Sequence, residues 1–314
     1  MGQDKERLAI SAAKLYYRSN YSQQQIAHEM GLSRPSVSRL LQYARDNGYV
    51  KIQIFDPVDD MNQLEHLLVE KYHLKRVCLA NSSLNDEKEI KKYLGIRTAE
   101  YLESIVHDGD IIGVGWGTTL FSVACSLIPH QLKGSQIVQL EGGVTHSTGE
   151  TYASEILERF AKNYRTIAQH LPLPVIFDSR EVKEMVSKDR YMRRVLELGC
   201  HANIAIFSVG TVRRKALFFQ LGYTDAEEMQ ALQSNAVGDI CSRFFDKDGR
   251  ICNPELDART VGISLQKLKE KDYSILVSGG EAKVDSIKAA LKGGYANVLI
   301  TDQFTAKALL QQND

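Results

Sequence analysis

Residues 22–41 read SQQQIAHEMGLSRPSVSRLL. Ser22 stands three residues before Gln25, the capping-box spacing in which the two side chains satisfy each other's orphan backbone donors, so a helix is expected over Gln23 to Met30. Gly31 supplies the positive φ that ends it, and Leu32 and Ser33 complete a tight turn with Ser33 placed to cap the next helix. Pro35 falls in the first turn of that helix, where its missing N–H does no harm, and the helix is expected to reach about Asn47. Ile26, Met30, Leu32, Val37 and Leu40 supply a small core, and Ala27 lets the two helices cross closely.

Upstream of this stretch, Leu8, Ala12, Leu15 and Tyr16 recur at helical spacing and predict a first helix from Asp4 to Arg18. Downstream, Tyr49 to Phe55 predicts a β-strand, a rudimentary wing, and Asp56 with Pro57 closes a domain over residues 1–56. Helix, glycine turn, helix is a DNA-reading unit whose second helix enters the major groove. Gln23 and Gln24 are expected to touch phosphates, and Arg34 and Arg39 to reach base edges or phosphates. Ser33, Ser36 and Ser38 complete this face and are short enough to let the helix approach the groove floor. The competing reading is an ordinary helical hairpin with a solvated basic face.

Charge agrees with the DNA reading. The 314 residues balance 39 basic against 39 acidic side chains, yet residues 1–55 hold eight Lys or Arg against four acids. The remainder is correspondingly acidic, so a polyanion partner is implied for the head alone. Hydrophobic residues at 43% and only 6 Pro exclude a disordered or collagen-like chain. No apolar run approaches the ~20 residues of a spanning helix, and a cytoplasmic location is expected. The five cysteines lack any CxxC pair, so neither a disulfide framework nor a metal site is expected, and the thiols are read as reduced and mostly buried.

Residues 57–314 open with Met61, Leu64, Leu68 and Tyr72 at helical spacing, a linker helix that packs either on its own body or on a partner chain. Beyond it, short apolar runs alternate with amphipathic stretches, the pattern of an α/β fold with a mostly parallel, Rossmann-like sheet. Four runs end alike. Asp110 to Val114 leads into Gly115, Trp116, Gly117, Thr118 and Thr119; Ile137 to Leu140 into Glu141, Gly142 and Gly143; Asn203 to Val209 into Gly210; and Tyr273 to Val277 into Gly279 and Gly280. Carboxyl ends of parallel strands line the ligand crevice, so these loops are expected to converge on one site. Backbone amides, the hydroxyls of Thr118 and Thr119, a helix N-terminus and Lys283 make a phosphate cradle. The GxxxxGK[ST] and GxGxxG patterns are absent, which disfavours ATP and NAD, and no cofactor is expected. Glu141 and Asp239 are placed to accept sugar hydroxyls.

The whole chain resembles the SorC family of sugar-binding transcriptional regulators, and within it the deoxyribonucleoside regulators. The resemblance rests on Ser22 to Ala27, Ser33 to Leu41, Gly115 to Thr119, Leu171 to Val175 and Ala236 to Asp246. It implies an N-terminal helix-turn-helix and an effector domain akin to sugar-phosphate isomerases and deaminases, with assembly into homodimers or homotetramers. It further implies phosphate-binding roles for Gly115, Gly117, Thr118, Thr119, Gly279, Gly280 and Lys283. The expected function is repression of a sugar or (deoxy)nucleoside catabolic operon, relieved by a small phosphorylated sugar such as a deoxypentose phosphate. Relatives that sense deoxyribose phosphate carry a lysine where this chain has Glu141, so a covalent imine at that position is not available. The alternative is a sugar-phosphate isomerase or deaminase with His107, His146, His201, Glu150 and Asp239 as acid and base candidates; a third reading is an oligomerisation module with a vestigial pocket.

Overall fold

A computed structural model of the chain describes residues 2–50, 61–144, 151–214 and 216–311. The chain divides into two compact units, Met1–Asp59 and Asp60–Asp314. In the first, α1 (Gly2–Tyr17), α2 (Gln23–Glu29) and α3 (Arg34–Asp46) enclose a core of Ile26, Val37, Leu40, Leu41 and Ala44. The local chemistry is as read: Gln25 N–H donates to Ser22 Oγ at 3.3 Å, Ser22 N–H to Gln25 Oε1 at 2.9 Å, and Ser36 N–H to Ser33 Oγ at 3.3 Å. Gly31 has φ 64°, which a side chain would strain.

One expectation for α1 fails. Ala9, Ala12 and Ala13 form its buried stripe with Leu15 packed beside it, while Leu8 and Tyr16 lie exposed, because small alanines let α1 approach α3 closely. The predicted strand Tyr49 to Phe55 cannot be followed, since residues from Lys51 onward lie outside the described part; Tyr49 and Val50 are not in a strand.

The second unit runs α4 (Met61–Tyr72), β1 (Arg76–Ala80), α5 (Glu87–Ile105), β2 (Ile111–Val114), α6 (Thr118–Ser126), β3 (Gln136–Gln139), α7 (Ala153–Tyr164) and β4 (Ile167–Gln169). It continues with α8 (Arg180–Ser187), α9 (Arg190–His201), β5 (Ile204–Phe207), β6 (Val209–Thr211), α10 (Leu217–Gln220), α11 (Ala226–Asn235), β7 (Gly238–Ile240) and β8 (Arg243–Phe245). After α12 (Pro254–Arg259), α13 (Leu265–Lys269) and β9 (Tyr273–Val277) come a 3₁₀ turn at Glu281–Lys283, α14 (Val284–Lys292), β10 (Val298–Asp302) and α15 (Gln303–Gln311). Seven strands form a parallel sheet ordered β1-β10-β9-β5-β2-β3-β4, and β6, β7 and β8 form a small antiparallel sheet.

Side chains alternate across the large sheet. Ile112, Ile206, Val277 and Ile300 pack with Leu94, Leu120 and Phe160 of α5, α6 and α7, whereas Phe207, Leu276 and Leu299 pack on the other face with Ile287 and Leu309 of α14 and α15. Both faces are therefore covered, the condition a parallel sheet requires. The linker helix α4 docks on its own body. Leu68 is buried, and Lys71 Nζ and the Tyr72 hydroxyl donate to Leu309 O at 3.0 and 3.2 Å. Strand order reverses between β2 and β5, and a crevice at their carboxyl ends is where doubly wound folds bind ligands. The cysteines are free, but Cys125 and Cys200 are exposed, so the expectation of mostly buried thiols holds only for Cys78 and Cys241, with Cys252 half-buried.

Candidate functional site

A cavity of about 830 Å³ opens at that reversal. Its wall includes Gly115, Gly117, Thr118, Thr119, Glu141, Asp239, Gly279, Gly280 and Lys283, so the strand ends whose sequence pointed to a site do converge. Gly142 and Gly143 are not on the wall. A Cβ on Gly142 would sit 2.2 Å from Pro174 O and one on Gly143 2.7 Å from Ala153 Cβ, so both are small because backbone and side chains crowd them from behind. Gly142 contributes indirectly: its carbonyl accepts the Trp116 indole N–H at 2.8 Å, which fixes an aromatic face of the cavity.

The distribution of amide hydrogens differs from the sequence reading. Gly115 N–H donates to Ile206 O at 3.0 Å and Gly117 N–H to Thr151 O at 3.1 Å. Gly280 N–H is shared between Thr305 Oγ1 at 2.7 Å and Asp302 Oδ2 at 3.1 Å. These three amides hold the loops to the fold and are spent. The first-turn amides of α6 have no intrahelical acceptor. Gly117 precedes that turn at φ 114°, accessible to glycine, and brings no side chain to cap it. The N-terminus of α6 is thus left open toward the cavity, with the threonines at 118 and 119 as its first residues, an arrangement able to hold an anion.

Across the cavity Lys283 Nζ reaches Ser208 Oγ at 3.4 Å. Burial, aided by the neighbouring Lys91, pulls its ammonium down to a pKa of about 8, while Asp239 and Glu87 oppose the shift. An anion placed beside it would favour the ammonium form. The same cavity also has an acidic wall. Glu141 is 4% exposed and accepts a hydrogen bond from Ser242 Oγ at 3.1 Å; burial first, and then the charge of Asp239, raise its pKa to about 8. Asp239 accepts Ser242 N–H at 3.2 Å, and burial raises it to about 6 with Lys283 pulling the other way. Neither carboxyl has an ion-pair partner among the described residues. Burial of both carboxyls beside each other favours a retained proton on the pair near neutral pH.

Asn85, Lys91, Ser208, Arg213 and Phe218 also line the wall and escaped the sequence reading. Lys91 looks like a solvated helix position, and Arg213 follows a strand of only three residues. Of the acid–base candidates among the described residues, only Asp239 lines the cavity. His107 and His201 are exposed and bound to the carbonyls of Ile105 and Glu197, at 2.8 and 2.7 Å; His146 and Glu150 lie outside the described residues. In the first unit, Gln24, Ser33, Arg34, Ser38 and Arg39 are exposed and Gln23 half-buried along α2 and α3, and Arg39 Nε leans on Pro35 O at 3.4 Å. Ser36 is half-buried and bonds Ser33 Oγ at 2.8 Å, so its hydroxyl completes the cap. Among the described residues no group of His, Cys, Asp and Glu is arranged to hold a metal, and no helix is long and apolar enough to cross a membrane.

Comparison with known proteins places this geometry in context. A family model described as "Putative sugar-binding domain" matches residues 56–311. The deoxyribonucleoside regulator of Bacillus subtilis is 51% identical over 310 residues, covering 99% of both chains. The sorbitol operon regulator of Klebsiella pneumoniae is 30% identical, covering 98% of this chain and 99% of its own. The crystal structure of the full-length sorbitol operon regulator SorC from the same organism superposes with a TM-score of 0.76 at 28% identity, covering 97% of this chain and 98% of that one.

Proposed function

The chain belongs to the sugar-binding domain family and is a transcriptional regulator, and from that premise we propose that a small phosphorylated sugar bound in the cavity releases it from operator DNA. One observation carries the ligand reading: the open N-terminus of α6, Lys283 and two buried carboxyl groups all line a single cavity. The phosphate sits on the first-turn amides, the Thr118 and Thr119 hydroxyls and Lys283; Glu141 and Asp239 take the sugar hydroxyls. A pentose or deoxypentose phosphate suits these groups, bound without a covalent bond at Glu141. The relatives are named as regulators, which leaves an isomerase or deaminase reading without support.

A ligand alters DNA affinity only by its differential affinity for two arrangements of the protein. A thermal-shift screen of phosphorylated sugars identifies it, because binding to the folded state alone raises the midpoint. Lys283→Ala is expected to weaken that ligand by ~1.5–3 kcal/mol, the usual worth of a hydrogen bond to a charged group, while DNA affinity stays unchanged. A variant that responds at the wild-type ligand concentration overturns the assignment, as does an adduct trapped by borohydride.

On the DNA side, Arg34→Ala and Arg39→Ala are each expected to cost ~1–3 kcal/mol of operator affinity, and wild-type binding should fall steeply with added salt. A single head of this kind buries only ~600–1,000 Å² on DNA, so two or more heads of a homodimer or homotetramer engage repeated half-sites. Gel-shift titration of both variants and sedimentation on the operator check this; unchanged affinity, or a monomer on DNA, contradicts it.

A further inference from the structure

Strands β7 and β8 are joined by a two-residue turn in which Cys241 has φ 49° and Ser242 φ 61°. Such turns need positive φ at both central positions and ordinarily use Asn-Gly, so two side-chain-bearing residues here hold the backbone in a region they disfavour. Nothing in the packing of the hairpin asks for a hydroxyl at 242. Ser242 is nevertheless 1% exposed, and both of its polar groups are committed to the cavity: Oγ donates to Glu141 Oε2 at 3.1 Å and N–H to Asp239 Oδ2 at 3.2 Å. A glycine would suit the turn better and keep the N–H, but would leave the Glu141 carboxyl only the Cys241 thiol and the Trp116 N–H.

We propose that Ser242 is a positioning residue for effector specificity: its hydroxyl, presented by the left-handed turn, aims the Glu141 carboxyl at the sugar end of the ligand while Asp239 is held beside it. The inference rests on the reading of this cavity as a sugar-phosphate site. It differs from a packing role in one respect that can be measured. Neither the first turn of α6 nor Lys283 is bonded to Ser242, and both Ser242→Gly and Ser242→Ala keep the N–H that holds Asp239, the carboxyl coupled to Lys283.

The test compares the full-length wild type with Ser242→Gly and Ser242→Ala by calorimetric titration, using inorganic phosphate and a panel of 2-deoxyribose 5-phosphate, ribose 5-phosphate and glucose 6-phosphate. Thermal midpoints are recorded alongside. Both variants should bind the sugar phosphate preferred by the wild type at least tenfold more weakly, with inorganic phosphate affinity within twofold of the wild type. Ser242→Gly should keep or raise the thermal midpoint, since glycine relieves the turn. The assignment is overturned if the two variants bind the sugar phosphate as the wild type does, or if they lose inorganic phosphate to the same extent. Should the wild type bind none of the panel, the sugar-phosphate reading itself fails and this role falls with it, a result already visible before any variant is made.

Discussion

Arg243→Met is expected to destabilise the second unit by ~3–5 kcal/mol, the cost of leaving buried polar partners uncompensated. The guanidinium is buried, and its nitrogens donate to Ile263 O at 2.7 Å, Asp257 O at 2.9 Å, Gly262 O at 3.1 Å, Thr260 O at 3.3 Å and Asp257 Oδ1 at 2.6 Å. Methionine fills most of the volume but donates to none of these acceptors. The orphaned carbonyls belong to residues 257–263, the segment that feeds backbone hydrogen bonds into the Glu141 strand end: Ile263 N–H donates to Leu140 O at 2.8 Å and Gly142 N–H to Val261 O at 3.3 Å. Loss of Arg243 therefore loosens the acidic wall of the cavity as well as the fold. Asp257→Asn should cost about 1 kcal/mol or less, because the Asp257 side chain is partly solvated and the backbone acceptors remain satisfied. Urea unfolding of the two variants decides it. A loss below about 1 kcal/mol for Arg243→Met shows that the loop repacks and that the network is not what holds it.

Glu141→Gln is expected to stabilise the folded chain at pH 8 by a few kcal/mol and to change little near pH 5. The folded-state pKa of Glu141, about 8, lies above that of an unfolded glutamate near ~4.3. Between these values the folded protein holds a proton that the unfolded chain releases. Stability then falls as pH rises, by up to ~1.4 kcal/mol per pH unit for one such group, and levels off above the folded pKa. Asp239, raised to about 6, adds a second decline that ends at lower pH. Glutamine mimics the neutral acid and does not titrate, so the variant should lose the decline between pH 6 and 8. Urea midpoints measured from pH 5 to 9 on both proteins give the two slopes; parallel slopes mean that Glu141 is ionised and solvated throughout this range.

How far each part could be read from sequence follows the range of the interactions that fix it. The boundaries of α2 and α3 were legible because Ser22, Gln25, Gly31, Ser33 and Pro35 act on backbone groups within four residues. The face that α1 buries was not: periodicity favoured Leu8, and only the partner helix selects Ala9. Strands β2, β3 and β9 were visible as apolar runs ending in glycine, whereas the run Asn203 to Val209 overran the end of β5 at Phe207 into β6, which holds Gly210. The destinations of the loop amides were hidden, since the acceptors at Ile206, Thr151 and Asp302 are remote in the chain. The small sheet escaped for another reason. Its strands have three residues each, too few for a period of two to show, and with them went the Cys241–Ser242 turn and the burial of Arg243.

Trp116 is the only tryptophan among the 314 residues, and it stands in the cavity wall with its indole N–H bound to Gly142 O. Indole emission excited at the red edge, where the 14 tyrosines scarcely absorb, therefore originates from this one position. The molecule carries its own optical gauge of cavity occupancy, responsive to a ligand that displaces water from the ring and needing no attached dye. Because the gauge lies within the second unit, its spectrum also separates melting of that unit from melting of the N-terminal helices.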